Sequence, residues 1–260
     1  MKIAWTPPRP GRGRVVLLHG VMSSAATWWR IGPALASHGW RVDALDLSAH
    51  GDSAPLGRPL TLDALVEGIV GQLTAPVDVL AGHSLGAITA LALAARHPAL
   101  ARALVLEEPP ATAVAADPAL AEGIAQAAAL AHADPEGLVR EERDANPRWL
   151  DGDAERSVDG IASADLSAIT SGLRGPLRWN LPGLVDAASA TPMLVLAAPL
   201  GPDSFPAGAG SALAEPDRSW LHDRLSHGRF IVMDGRHCLH RDQPERWVAE
   251  THAFATATAA

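Results

Sequence analysis

The chain has no tyrosine, one cysteine and a single lysine, Lys2. One cysteine, Cys238, cannot close an intramolecular disulfide or anchor a cysteine-based zinc site. The formal net charge of −8 comes with no basic block, which argues against a nucleic-acid groove and an electrostatic membrane anchor. No stretch is long and apolar enough to span a bilayer. The start, MKIAWTPPRPGRGR, carries no apolar segment of the signal-peptide type, so a cytoplasmic protein is expected. The near-absence of lysine beside abundant Ala, Gly, Pro and Arg is a compositional bias and carries no function.

What is present is core material: 48% of the 260 residues are hydrophobic. Short apolar runs of strand length occur at 14–18, 42–47, 77–81, 103–106, 193–198 and 229–233, most of them apolar on both faces, as buried parallel strands are. Helical patterns lie between and after them, at 28–37, 62–73, 85–97, 212–226 and 245–254. The alternation predicts an α/β fold, a mostly parallel sheet with helices on both faces. No strand is expected from about 111 to 190, where Ala-rich and charged helical pieces predict a helical cap. The core is then 1–110 with 191–260. The Pro/Gly-rich stretch 199–210 reads as a loop.

The segment VLAGHSLGAITA, residues 79–90, puts a serine between two glycines where an apolar strand gives way to a helix. A G-x-S-x-G pentapeptide in that setting is a nucleophile elbow, with Ser84 held in a strained turn above the sheet. Its base is expected in the loop after the last strand, in FIVMDGRHCLHRDQPERW, where His237 comes first and His240 is the alternative. A metal pair at His237-x-x-His240 lacks a third ligand at suitable spacing. Two backbone donors would hold an oxyanion: the N–H of Leu85, and one from the loop after VVLLHGVMSS, with Val21 ahead of Gly20. Trp28 and Trp29 read as packing residues. Trp149 and Trp179 fall in the cap, and Trp179 is a candidate substrate-binding residue. Asp46 and Asp52 read as structural turn acids.

The pieces LLHGVMSS, DLSAHGDS, GHSLG, HPALARALVLEEPP and GRHCLHRDQPE together resemble the α/β-hydrolase superfamily over nearly the whole length except the cap. The resemblance implies a triad acid, and it places the cap after the strand the superfamily counts as sixth, here 103–106. The acid commonly follows the next strand in a Gly-x-x-Asp pattern, but here the continuation is Pro-Leu-Gly-Pro-Asp, ending at Asp203. A minority arrangement puts it 24 residues beyond the nucleophile, where this chain has Glu108. That arrangement is similar to lactone hydrolases of the zearalenone-lactonase type. Glu108 is therefore the expected acid, with Asp203 and then Glu107 as alternatives. The resemblance implies a serine hydrolase of small apolar esters or lactones that works through an acyl-enzyme without metal or cofactor. A carbon–carbon bond hydrolase or a cofactor-free lyase would carry the same triad. The serine at the elbow and the absence of tyrosine disfavour an Asp-nucleophile dehalogenase or epoxide hydrolase. A small-molecule binding protein is the non-enzyme alternative, and a homodimer is left open.

Overall fold

Leu17 and Leu18 point to opposite faces of one strand, and both are fully buried. That observation on β2 (Gly13–Leu18) holds for the whole centre of the sheet in the computed structural model, which describes residues 2–9, 11–201, 210–225 and 229–258. The other strands are β1 (Lys2–Trp5), β3 (Trp40–Leu45), β4 (Val79–His83), β5 (Leu104–Glu107), β6 (Met193–Ala197) and β7 (Phe230–Val232). They lie in the order β1-β3-β2-β4-β5-β6-β7, all parallel except β1, which runs antiparallel to β3.

One core lies on each face. Val15, Leu17, Val42, Ala44, Val79 and Ala81 pack with Trp28, Trp40 and Trp247 against α1 (Ile31–Ser37) and the C-terminal helix. Val16, Leu18, Leu45 and Leu80 face α2 (Leu62–Val70) and α3 (Leu85–Arg96). α3 sits under the middle strands with Leu85 through Ala94 all buried, and its alanines let it come close to them.

Between β5 and β6 the chain makes a 3₁₀ turn (Thr112–Ala116) and five helices: α4 (Pro118–Ala133), α5 (Pro135–Ala145), α6 (Asp153–Ala162), α7 (Leu166–Arg174) and α8 (Leu181–Ala187). Their starts are written locally. Asp117, Asp134, Asp165 and Asn180 each accept a backbone N–H of the first turn, and Pro118 and Pro135 open their helices, where a missing N–H costs nothing. The chain ends with α9 (Asp217–Arg224), α10 (Leu239–Asp242) and α11 (Pro244–Thr258).

Three expectations are corrected. The edge strand β1 was not foreseen. The helix expected at 212–226 begins only at Asp217, after Pro216. The helix expected at 28–37 is a 3₁₀ turn (Ala25–Trp28) followed by α1. With β1 included, the strand preceding the long helical stretch is the fifth of seven in this chain.

Candidate active site

β4 ends at His83 and α3 begins at Leu85, so the turn between them falls on Ser84 alone. Ser84 takes φ 51°, ψ −117°, a backbone state that costs about 1–3 kcal/mol for a residue with a Cβ. Its neighbours permit the turn: a Cβ on Gly82 would overlap the backbone of Gly86, and one on Gly86 would overlap the carbonyls of Leu18 and His19. Ser84 is 4% exposed and opens onto a cavity of about 550 Å³, within the range of small-molecule sites. His237 lines the same cavity.

Glu108 Oε2 lies 3.3 Å from His237 Nδ1. The carboxylate is fully buried and collects three further donors: Ala198 N–H at 2.7 Å and Ser211 Oγ–H at 2.9 Å on Oε1, and Ala212 N–H at 2.7 Å on Oε2. The chain after β6, where the common pattern would carry an acid, thus supplies backbone donors to Glu108. Asp203 lies outside the described residues. Glu107, on the opposite face of the same strand end, turns to His240: its Oε1 accepts from His240 N–H at 3.0 Å and Nδ1–H at 2.8 Å, and its Oε2 from Trp247 Nε1–H at 2.9 Å. Neighbouring carboxylates therefore hold two histidines three residues apart.

The loop after β2 is pinned by His19. Burial drives its pKa down to about 3, so the ring is neutral and has one N–H. Nδ1–H donates to Gly20 O at 2.7 Å, while Nε2 accepts from Leu47 N–H at 3.1 Å. With the Gly20 carbonyl turned toward His19, the planar trans peptide sends the Val21 N–H the other way. Val21 lines the cavity, and the Gly20 backbone abuts Ser84, whose Cβ would be 3.3 Å from a Cβ at position 20. Leu85, in the first turn of α3, has an N–H that no residue within the helix can accept. His83, whose pKa burial holds well below its ordinary value, donates from Nε2 to His237 O at 2.9 Å and ties the elbow to the histidine loop.

A sequence model described as alpha/beta hydrolase fold matches residues 13–143, half of the chain. The chain belongs to the alpha/beta hydrolase fold family. A pimeloyl-[acyl-carrier protein] methyl ester esterase of Neisseria meningitidis is 44% identical over 93 residues, which are 36% of this chain and 35% of that protein. The match thus spans about a third of that relative's length. Lipase LipV of Mycobacterium tuberculosis is 34% identical over 180 residues, 67% of this chain and 65% of its own. Among solved structures, a thermophilic esterase from Thermogutta terrifontis superposes with a TM-score of 0.70 at 19% identity, covering 100% of this chain and 94% of that one, a likeness of fold.

Within this hydrolase fold, α4, α5 and α6 wall the cavity with Leu120, Ile124, Leu138 and Ile161. Trp179 does not join them: it is 7% exposed, packed in the core, and its Nε1–H donates to Pro110 O at 2.9 Å. Packing replaces the expected role as a substrate wall. Trp149 is the tryptophan that lines the cavity among the described residues. Cys238 also reaches it, but burial pushes its thiol up to about 12, leaving it protonated. Asp46 holds the N–H groups of Ala25 and Asp52, the structural part expected of a turn acid. His83, Glu107 and His240 bring possible ligand atoms within 4.8 Å of one another. Both nitrogens of His240 and Nε2 of His83 are already spent on internal hydrogen bonds. Among the described residues no helix is long and apolar enough to cross a membrane.

Proposed function

We infer that this protein is a serine hydrolase of carboxylic esters or lactones, with Ser84 as nucleophile, His237 as base and Glu108 as the acid of the triad. The observation that carries the reading is the Glu108–His237 pair beside a strained serine on one cavity. With Nδ1 directed at Glu108, Nε2 is the nitrogen of His237 that serves the serine on this reading. Ser84 Oγ attacks the ester carbonyl as His237 takes its proton. The N–H groups of Leu85 and of Val21, or of Gly20, receive the oxyanion. A donor of this kind is worth about 3–4 kcal/mol in the transition state. The imidazolium, stabilised by Glu108, protonates the leaving alkoxide, and a water activated by His237 then cleaves the acyl-enzyme. The names of the esterase and lipase relatives support ester hydrolysis, and Glu108 in place of a later Asp inclines the reading toward lactones. On this reading residues 111–190 cap a core of 1–110 and 191–260, no cofactor takes part, and the setting is cytoplasmic. The test is turnover of a p-nitrophenyl ester together with covalent labelling by a fluorophosphonate, both lost in Ser84→Ala. Labelling or turnover that survives in folded Ser84→Ala ends the proposal.

A further inference from the structure

The cavity beside Ser84 contains a guanidinium that the mechanism does not use. Arg241 is 4% exposed and lines the cavity. Its Nε–H and one Nη2–H both donate to Thr27 Oγ1, at 3.2 and 2.9 Å. Those are its hydrogen bonds among the described residues, so three of its five N–H groups are uncommitted. No described carboxylate pairs with it within 4.0 Å.

A buried charge in that state is expensive unless something compensates it. Part of the compensation is relayed. The two N–H groups from Arg241 occupy the lone pairs of Thr27 Oγ1, so the Thr27 hydroxyl proton goes to His240 Nε2 at 3.1 Å, and His240 Nδ1–H goes to Glu107. The relay Glu107–His240–Thr27–Arg241 fixes one edge of the guanidinium. Trp149 fixes its plane, with the guanidinium carbon 4.4 Å from the ring centroid and the indole N–H anchored on Asp242 at 3.1 Å. The free edge is left for the cavity. None of the three acids on the same wall, Glu141, Glu142 and Asp242, lies within 4.0 Å of it, and Glu141 is exposed. Asp242 also accepts Arg236 N–H at 2.6 Å, and burial raises the Glu142 carboxyl above its ordinary range although Arg241 acts in the opposite sense. A second unsatisfied group lines this cavity: Ser23 is 8% exposed and its Oγ has no partner among the described residues.

We propose that Arg241, with Ser23, is a recognition site for a carboxylate on the substrate, so that the preferred ester carries a free carboxylate at the end of a short apolar chain. The planar fork of a guanidinium matches a carboxylate, and the apolar residues of α4–α6 receive the chain between the two ends. The proposal rests on the esterase reading above and adds the substrate class to it.

The experiment compares monomethyl with dimethyl esters of succinic, glutaric and adipic acids, which differ in charge at equal chain length. The parent should favour a monoester in kcat/KM, through KM. Arg241→Gln should lower that monoester-to-diester ratio by about 10- to 100-fold, the value of a hydrogen-bonded charge, with Arg241→Lys in between. A parent ratio near one, or a ratio that Arg241→Gln leaves in place, overturns the proposal. If no ester is turned over and no fluorophosphonate is bound, the esterase reading has failed by itself. Calorimetry on the parent then decides the anion site: binding of glutarate but not dimethyl glutarate supports it, and equal or absent binding overturns it. That measurement also serves if Arg241→Gln does not fold.

Discussion

Glu108 and His237, 129 residues apart in the chain, meet at 3.3 Å, and the carboxylate that makes this contact is also the hydrogen-bond hub for Ala198, Ser211 and Ala212. One group therefore orients the imidazole and holds the two chain segments that flank it. Glu108→Gln should cost about four orders of magnitude in turnover. It should also destabilise the fold by about 1–3 kcal/mol, because an amide NH2 placed among N–H donors leaves one of them unsatisfied. Urea unfolding beside single-turnover kinetics separates the two effects. Asp203→Asn should leave turnover near the parent value, and the reverse pattern would move the acid to Asp203.

Ser84→Ala should be folded and lower turnover by several orders of magnitude. At φ 51° the more telling partner is Ser84→Gly, which removes the Cβ from a strained backbone state. Thermal melts should find Ser84→Gly more stable than Ser84→Ala by about 1 kcal/mol. A less stable glycine variant would show that the strain is smaller than the extra unfolded-chain entropy of glycine.

His237 and His240 should separate activity from stability. His237 is half-buried on the cavity, and His237→Ala should abolish turnover with a small change in unfolding midpoint. His240 is 2% exposed and is the main partner of the buried Glu107. His240→Ala should cost about 3 kcal/mol in urea unfolding, because it leaves the buried Glu107 carboxylate short of a donor and opens a cavity. If His240→Ala keeps full stability and loses all activity, the base is His240.

Acid should destabilise this protein well above the carboxylate range. Burial lowers the pKa of His19 to about 3 and of His50 to about 4, and holds His83 well below 6.5. The unfolded chain takes up protons at these rings near pH 6.5, whereas the folded protein does not. Their contribution is complete above that pH and is lost as the pH falls toward 4, at about 1.4 kcal/mol per pH unit for each ring. Urea midpoints measured from pH 7 to pH 4.5 should fall accordingly, and His50→Gln should flatten the slope.

The sequence was most readable where one local pattern carries the whole signal. Runs such as VVLL, apolar on both faces, have few alternatives to a buried parallel strand, and a serine between Gly82 and Gly86 needs only five residues to be seen. β1 escaped because four residues of half-buried edge strand, followed by Pro7 and Pro8, look like a loop until Trp5 is found beside Val42. Trp179 and Trp149 could not be told apart, since whether an indole faces a cavity depends on where a helix 30 residues away comes to rest. The pairing of Glu107 with His240 was equally hidden: sequence offered two acids and two histidines, and only the opposite faces of the β5 end assign each acid to its ring.

His83 touches both loops that border the serine: its Nε2 holds the His237 carbonyl, and a Cβ at position 20 would come within 2.7 Å of its Nδ1. A side chain at position 20 would therefore have to displace the imidazole at 83, and with it the bond that holds the His237 carbonyl. The absent side chain at position 20 is thus a condition for the position of the histidine loop, and one imidazole couples the two segments.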